Sequence, residues 1–241
     1  MNRTKFQAPS YYNGKKIQKY IRYNNTDCSI RSMTSDELAI FRSIFLLNNK
    51  NVELPCIIHY SNGDVYQGEI KWNGKRQGLG ELFFANGDIL AARWKDGFAN
   101  GCGVYTSKLQ TIYKGTFKNG VVDGKNIRVQ YYDGTVYVGE IKQGYYCGQG
   151  KLIYSNGDVL EGTWLNNELH GNGIARYSDG EIYTGEFCNG DRQGYGECFW
   201  QNGNWYKGGW SKDTLHGYGY LNAINTVGKI YDSDWIYGCE Q

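Results

Sequence analysis

The sequence predicts an all-β protein assembled from tandem β-hairpins, and a repeat that starts near Tyr66 is the main reason. Large side chains recur every 23 or 24 residues in seven consecutive units. They are Tyr66, Leu90, Tyr113, Tyr137, Leu160, Tyr183 and Tyr206. A unit this short cannot bury a face by itself, so neighbouring units must stabilise one another in an array.

The first half of each unit has the spacing of a β-strand. Two residues after the large anchor comes a small residue, and two residues further on comes a large apolar one, as in Tyr183, Gly185 and Phe187. Because side chains two apart in a strand point to the same side, the anchor, the glycine and the apolar residue share one face. The glycine leaves a hollow over which a neighbouring ring can lie.

The second half of each unit predicts a second strand and a tight turn. A Gly-x-Gly pair such as Gly194 and Gly196 opens this strand, and the alternation continues to Trp200. Six Asn-Gly or Asp-Gly pairs end the strands: Asn62-Gly63, Asn86-Gly87, Asp133-Gly134, Asn156-Gly157, Asp179-Gly180 and Asn202-Gly203. These residues tolerate the positive φ angles of a two-residue type I′ turn, so the units are expected to form an antiparallel meander.

The segments that carry this pattern resemble MORN repeats. SNGDVYQGE from Ser61 and SNGDVLEGT from Ser155 are each followed by a large apolar residue, a turn and Gly-x-Gly. The resemblance covers about residues 57 to 221. It implies an elongated, twisted, single-layer antiparallel sheet. It also implies a non-catalytic scaffold of the kind proposed to bind proteins or acidic phospholipids, and in some members to self-associate.

The third unit and both ends of the array depart from the pattern. In the third unit, Ser107 to Thr111 replace an Asn-Gly turn and Asn126 replaces the second glycine, so a local distortion of the strand pairing is expected. Residues from Cys56 look like the second strand of an incomplete leading repeat. Residues 222–241 contain a partial eighth repeat as a C-terminal cap. Its anchor, small and aromatic positions are Tyr231, Ser233 and Trp235.

Residues 1–56 lie outside the repeat and comprise a basic segment and one predicted helix. Thr34 or Ser35 with Glu37 fits a capping box ahead of an apolar stripe. The stripe consists of Leu38, Phe41 and Phe45. This amphipathic helix is expected to cap the first exposed hairpin, as terminal units of repeat arrays require. A helix that binds a partner or a membrane surface is the alternative.

The basic segment offers a second kind of contact. Residues 1–31 hold seven basic side chains and a single acidic one. Such a segment could attract acidic phospholipid head groups, with contacts at Lys15, Lys16, Lys19 and Arg22. A tail that folds back onto the acidic repeats, or is simply solvated, is the alternative. Interleaved tyrosines would suit stacking on bases, but no nucleic-acid motif accompanies them, so nucleic acid is not an expected partner.

Motif placement argues against an enzyme, a bound cofactor or a metal. His170 and His216 occupy the same repeat position directly before Gly-x-Gly, which points to a turn rather than to general-base chemistry. His59 lies near Cys56, but no third group is placed to orient them. The seven cysteines have no paired metal-ligand spacing, which favours reduced thiols in the cytoplasm, with peripheral membrane association as the alternative. No secretory signal or membrane-spanning run is apparent.

The leading interpretation is a non-catalytic scaffold or adaptor that binds a protein partner through an aromatic groove. The groove would be lined by Tyr66, Trp94, Tyr113, Tyr137, Trp164, Tyr183, Tyr206 and Trp210. Most of these rings are expected to serve packing, whereas exposed ones such as Tyr137 and Tyr183 would contact the partner. Peripheral binding to acidic phospholipid is the alternative function, and an accessory subunit of an enzyme complex is a third. Self-association as a homodimer is expected at the C-terminal sheet edge.

Overall fold

The computed structural model of the chain describes residues 21–22, 54–223, 230–236 and 239–240, with side chains from Cys56 to Ala223. These residues form β-strands and turns, and no helix occurs among them. The strands pair antiparallel, which confirms the predicted all-β fold of tandem hairpins. The predicted N-terminal helix lies outside the described residues. The chain forms two compact units that divide between Gly124 and Lys125.

The first unit contains eight strands in its described residues, and each pairs with the strand that follows it. They are β1 (Ile21–Arg22), β2 (Leu54–His59), β3 (Val65–Ile70), β4 (Arg76–Phe83), β5 (Ile89–Lys95), β6 (Phe98–Thr106), β7 (Ile112–Lys118) and β8 (Val121–Val122). The first three predicted hairpins are therefore β3–β4, β5–β6 and β7–β8.

The second unit continues the same order. Its described strands are β9 (Gly124–Gln130), β10 (Val136–Lys142), β11 (Tyr145–Ile153), β12 (Val159–Leu165), β13 (Glu168–Arg176), β14 (Ile182–Cys188), β15 (Asp191–Phe199), β16 (Trp205–Ser211), β17 (Thr214–Asn222), β18 (Ile230–Ile236) and β19 (Cys239–Glu240). Neighbours in the sequence pair with each other from β9 to β19. The remaining four predicted hairpins are β10–β11, β12–β13, β14–β15 and β16–β17.

Both predicted partial repeats keep the register of the complete ones. Ile58 of β2 pairs with the anchor Tyr66, and Leu221 of β17 pairs with the predicted anchor Tyr231. These pairings are consistent in register with a partial repeat at either end of the array. On its other side, β2 pairs with β1, where Arg22 lies opposite Ile57. Part of the basic N-terminal segment therefore runs along the first strand of the array.

The Asn-Gly and Asp-Gly turns are not the predicted type I′ turns. At the first of them the N–H of Gly63 donates to the carbonyl of Tyr60 (3.0 Å) and the N–H of Tyr60 to the carbonyl of Asp64 (2.9 Å), so the loop has three residues. Only the glycine has a positive φ, 90° at Gly63. Asn62 instead accepts the N–H of Asp64 with its side chain (3.2 Å). A type I turn with a glycine bulge is the usual three-residue hairpin loop.

True two-residue turns occur at the opposite ends of the strands. Asp96 and Gly97 link β5 to β6 with φ angles of 53° and 95°, and Asn189 and Gly190 link β14 to β15 with 52° and 84°. Positive φ at both central residues defines the type I′ turn. These turns connect the two strands within one 23-residue repeat, whereas the three-residue loops connect consecutive repeats.

The Gly-x-Gly pairs lie inside the second strands and do not open them, contrary to the prediction. β11 begins at Tyr145, ahead of Gly148, because pairing with β10 resumes immediately after the two-residue turn. Gly148 has a φ of 55°, and the register shifts between Gly139 and Glu140 opposite it. Each pair therefore marks a β-bulge. His170 also lies within a strand, β13, so the predicted turn at the histidine position is wrong.

A pair of facing glycines beside each bulge makes room for the anchor tyrosine. A Cβ atom on Gly68 would lie 2.6 Å from the hydroxyl of Tyr66, and one on Gly80 would lie 2.6 Å from Cζ of the same ring. The Tyr66 hydroxyl donates to the carbonyl of Glu69 in the bulge (2.8 Å). The same arrangement recurs at Tyr137, Tyr183 and Tyr206. This arrangement confirms that the glycines form the hollow. The ring that fills the hollow is the anchor of the same repeat.

Tryptophans tie three of the tyrosine anchors, Tyr66, Tyr137 and Tyr183, to the following repeat. Trp94 lies edge-on to Tyr66 with ring centroids 5.3 Å apart, and its indole N–H donates to the carbonyl of Gly80 (2.8 Å). Trp164 repeats both contacts with Tyr137 and Gly150. Edge-to-face pairs add about 0.5–1.5 kcal/mol beyond the area they bury. The rings on the face of the sheet that carries the anchors are thus covered by contacts between consecutive repeats.

The aspartate carboxylates of the turns form a second link between consecutive repeats. Asp64 accepts the N–H of Ala85 in the next loop (2.9 Å), and Asp88 accepts that of Lys108 (2.8 Å). In the second unit Asp158 accepts the N–H of Ser178 in the same way (2.8 Å). This confirms that the recurring aspartates serve turn structure.

The predicted distortion of the third hairpin is confirmed. β8 ends at Val122, and the Thr116 hydroxyl donates to the carbonyl of Asp123 (2.7 Å) where other hairpins continue their strand. The stretch from Gly120 to Gly134 is one residue longer than the one from Gly190 to Gly203. Asn126 has a φ of 56°, which a non-glycine residue seldom adopts. The division between the two units falls beside this irregular hairpin.

Gly196→Ala is expected to destabilise the fold more than Gly173→Ala. The new methyl group on Gly196 would lie 2.5 Å from Cε2 of Tyr183, whereas on Gly173 the nearest atoms are 3.1 Å away because Leu160 replaces the tyrosine anchor. Forced overpacking costs about 1–3 kcal/mol. Urea denaturation of the full chain measures the difference, and equal losses for the two variants would contradict the seating of Tyr183 on its glycines.

Asp88→Asn is expected to lower stability at neutral pH and to lose its effect in acid. Burial tends to raise the pKa of the Asp88 carboxyl, but hydrogen bonds from Tyr105, the Lys108 N–H and Asn86 outweigh it and hold the pKa below its usual value. A lowered pKa stabilises the folded chain above the unfolded value of about 3.9. That stability is lost as pH falls through the folded pKa.

Urea denaturation at pH 7 and at about pH 3 tests this, since hydrogen bonds to a charged group contribute about 1.5–3 kcal/mol. The gap between wild type and Asp88→Asn should shrink on acidification. A gap that is equally large at both pH values would show that the charge of Asp88 does not stabilise the loop contacts.

Candidate functional site

The eight predicted groove rings lie in the core. Each is at most 4% exposed, and Tyr66, Tyr137, Tyr183 and Tyr206 are fully buried. The expectation that Tyr137 and Tyr183 are exposed is therefore wrong. Their rings press onto glycines of their own hairpin, while Trp164 and Trp210 cover them from the next. Burial accordingly raises the pKa of Tyr66, Tyr137 and Tyr183.

In each of the two units, the packed face, meaning the face that carries the anchor residues, ends in half-buried rings. These rim rings stand three residues before the loop glycines: Tyr60, Phe84, Tyr131, Tyr154, Tyr177 and Trp200. In the second unit the Tyr131 hydroxyl makes a 2.5 Å hydrogen bond with that of Tyr146, which itself stacks on Tyr137. The sequence interpretation overlooked them as a candidate surface. Their constant spacing from the loop glycine was the available signal.

Two arginines interrupt the apolar packed face. Arg76 is the first residue of β4 and Arg192 is the second residue of β15, and they lie opposite Ile70 and Phe187. The corresponding positions in the other hairpins are occupied by Ala99, Val122, Tyr146, Leu169 and Leu215. The Arg76 guanidinium carbon lies 4.3 Å from the ring centroid of Trp94, and that of Arg192 lies 4.4 Å from Trp210. A cation is thus seated on an aromatic ring in each unit.

The opposite face, the open face, bears exposed apolar side chains. In the second unit they occur on β10 to β12 and, with most of the aromatic ones, on β14 to β17. We call the set on β14 to β17 the open-face patch. Its members are the half-buried Trp205 and the exposed Ile182, Tyr195, Phe199, Tyr218 and Tyr220. Strand pairing places Phe199 between Ile182 and Trp205, so the three form a continuous row across neighbouring strands. Tyr195 is 58% and Tyr218 is 59% exposed.

The charge within the open-face patch is balanced. The Lys207 ammonium lies 3.1 Å from the Glu197 carboxylate on the neighbouring strand. It also lies 6.0 Å from the ring centroid of Phe199 and 5.8 Å from that of Trp205. The patch therefore combines aromatic surface with a neutralised ion pair.

The other candidate residues do not assemble into a reactive centre within the described part of the chain. Cys56 and His59 are both on β2, but Cys56 is buried on the packed face and His59 points to the opposite side. Burial raises the pKa of the Cys56 thiol to about 12, which disfavours the nucleophilic thiolate. Across the described residues, no cluster of three or more His, Cys, Asp or Glu side chains could hold a metal ion.

The residues predicted to contact lipid are mostly beyond what the structure describes. Lys15, Lys16 and Lys19 lie outside the described residues, and Arg22 is placed only as a backbone position in β1. Among the residues that are described, no helix is long and apolar enough to cross a membrane.

The family model of the MORN repeat matches residues 66–89, 92–108, 137–159, 161–182, 183–205 and 206–221, which together are more than half of the chain. The chain belongs to the MORN repeat family. The MORN match leaves out the irregular third hairpin, where the extra residue interrupts the period. MORN repeats are generally non-catalytic and often mediate protein or membrane interactions.

Curated relatives share part of this MORN array. Alsin of Rattus norvegicus is 39% identical over 90 residues, which are 35% of this chain and 5% of Alsin. Alsin of Homo sapiens is 38% identical over 90 residues, with the same coverage. The matched segment is therefore a small fraction of these much longer relatives.

Two solved structures show weak likenesses. One is the SAS-4 TCP domain of Drosophila melanogaster in complex with a proline-rich motif of Ana2, at 15% identity, 78% coverage of this chain, 88% of that chain and a TM-score of 0.29. The other is the TCP10 domain of Danio rerio CPAP in complex with a STIL peptide, at 15% identity, 76% and 99% coverage and a TM-score of 0.28. Neither likeness is strong enough to support an inference about this chain.

Proposed function

We propose that the chain is a non-catalytic MORN scaffold that binds a protein partner through the open-face patch. The observation that supports this is the exposure of several large aromatic side chains on neighbouring strands, with Tyr195, Phe199, Tyr218 and Tyr220 each more than two-fifths exposed. Contiguous exposed apolar surface is characteristic of interaction sites, and tyrosine and tryptophan supply most binding energy in protein interfaces.

The packed face is a poorer candidate for the same role. Its anchor rings are already committed to their own glycines and to the tryptophan of the next unit, as Tyr183 is to Gly196 and Trp210. A partner that inserted between them would have to break these contacts. The predicted aromatic groove is thus replaced, in this proposal, by the open face of β14 to β17.

The charge of the patch favours a protein partner over an anionic membrane. Lys207 is paired with Glu197, so the patch presents no surplus cation to acidic head groups. Each basic residue near an anionic membrane surface contributes about 1 kcal/mol to the binding free energy. Lipid binding through Lys15, Lys16 and Lys19, and a homodimer through the C-terminal sheet edge, remain separate proposals that the experiment below distinguishes.

A double variant, Tyr195→Ser with Phe199→Ser, is expected to lose the partner and to keep its fold. Both residues are on the open face, and surface substitutions usually change stability by less than about 0.5 kcal/mol. The control is Val138→Ser with Leu165→Ser, which removes similarly exposed apolar side chains from β10 and β12. Quantitative affinity enrichment from the native host compares the two with wild type.

The proposal predicts a set of proteins retained by wild type and by the control but absent from the patch variant, with unchanged urea midpoints. Equal retention by the patch variant would exclude the patch as the binding surface. Salt-sensitive binding to phosphatidylserine vesicles, lost only when Lys15, Lys16 and Lys19 are neutralised, would favour the lipid alternative. A concentration-dependent mass in light scattering would favour the homodimer.

A further inference from the structure

The two arginines of the packed face occupy the same position but have different surroundings. Arg76 and Arg192 both stand in an Arg-Gln-Gly segment near the start of their strand, and both stack on a tryptophan. A cation that is taken out of water is costly unless an anion compensates it. Each arginine should therefore be accompanied by a negative charge.

Arg192 has its anions within the chain. Its Nη1 contacts the Glu181 carboxylate at 2.5 Å, and its Nε lies 3.3 Å from the Asp213 carboxylate. Nη2 donates to the carbonyl of Asp213 at 3.1 Å. With two carboxylates and a stacked ring, this guanidinium is compensated on several sides.

Arg76 has no such compensation among the described residues. Its Nε donates to the carbonyl of Gly97 (3.0 Å), but no described carboxylate lies within 4.0 Å of its nitrogens. The rings of Tyr60 and Tyr66 each lie 5.8 Å from its guanidinium carbon, in addition to Trp94. Burial lowers the pKa of Arg76, while Tyr60, Tyr66 and Asp64 act in the opposite direction.

The sequence explains why the two arginines differ. Gly97 stands in the first unit where Asp213 stands in the second, which removes one carboxylate. Asp64 stands where Glu181 stands and is one methylene shorter. Its carboxylate is also engaged by the N–H of Ala85 (2.9 Å) and by the side-chain amide of Asn62 (2.7 Å). Neither replacement leaves an acid that can pair with Arg76.

We propose that Arg76, flanked by Tyr60 and Trp94, binds the carboxylate of an acidic side chain from a peptide partner. The Arg192 cluster is an internal example of the same recognition, since a glutamate carboxylate occupies the corresponding place on the same type of seat. Guanidinium and carboxylate match in shape and can form paired hydrogen bonds. The neighbouring negative charge of Asp64 disfavours a dianionic phosphate more strongly than a singly charged carboxylate at this position.

This site is independent of the open-face patch. It lies on the packed face of the first unit, with the half-buried rim ring of Tyr60 at its entrance, whereas the patch lies on β14 to β17. The proposal stands even when the patch variant retains its partners.

The test is a titration of the full chain with the peptide acetyl-Ala-Glu-Ala-amide, followed by the Arg76 Nε–H and Trp94 Nε1–H signals in nitrogen-15 NMR spectra. Saturable shifts are expected with this peptide and not with its Gln counterpart. Arg76→Gln is expected to weaken binding at least about tenfold, because a charge-assisted pair is lost. Arg192→Gln serves as the matched control and should leave the peptide affinity unchanged.

Gly97→Asp provides a second variant that does not depend on removing the arginine. A Cβ on Gly97 meets no atom within 4 Å, and the backbone has to shift only from the φ of 95° at Gly97 towards the 65° that Asp213 adopts at the equivalent position. It recreates one carboxylate of the Arg192 cluster and should compete with the peptide, again weakening it at least about tenfold. Unchanged affinity in both Arg76→Gln and Gly97→Asp would overturn the proposal. So would equal shifts with the Gln peptide, or stronger binding of inorganic phosphate.

Discussion

The fold depends on one contact, in which an anchor tyrosine lies over two glycines of its own hairpin and donates its hydroxyl to the carbonyl at the bulge. Tyr137 shows all of its parts: the ring over Gly139 and Gly150, and a 2.9 Å hydrogen bond to the carbonyl of Glu140. Tyrosine supplies both a large apolar ring and a polar end that needs a partner when buried. A repeat of 23 residues is stable in this form because Trp164 then joins the seated ring to the next hairpin.

This contact also decides where binding can occur. Side chains that close the core are not available to a partner, so the aromatic richness of the packed face reflects stability. The surface that the contact does not use includes the open-face patch around Phe199 and Arg76, the packed-face arginine that has no carboxylate within 4.0 Å among the described residues, and these are the places proposed for recognition. The first is an apolar surface with balanced charge, and the second is a single cation on an aromatic seat.

The sequence predicted the hairpins well because the period and the two-residue alternation report directly on strands and on shared faces. It predicted the exposure of the aromatic side chains poorly. Alternation shows that Tyr183 and Gly185 share a face, but not that the ring folds down onto Gly196 across the hairpin and becomes buried. Turn type failed for a related reason: Asn-Gly suits a type I′ turn, yet the backbone pairing of Tyr60 with Asp64 sets a three-residue loop. The contrast between Arg76 and Arg192 depends on Gly97 and Asp213, which sequence reading alone did not connect with them.

Chemical nitration of tyrosines in the native chain, read residue by residue with mass spectrometry, tests the assignment of the two faces most directly. The account predicts that Tyr195 and Tyr218 on the open face are modified rapidly, whereas Tyr137 and Tyr183, which are fully buried, react only after the chain is unfolded. Modification of Tyr137 and Tyr183 in the native chain at rates similar to those of Tyr195 and Tyr218 would contradict it, because the anchor rings would then be exposed rather than seated on their glycines.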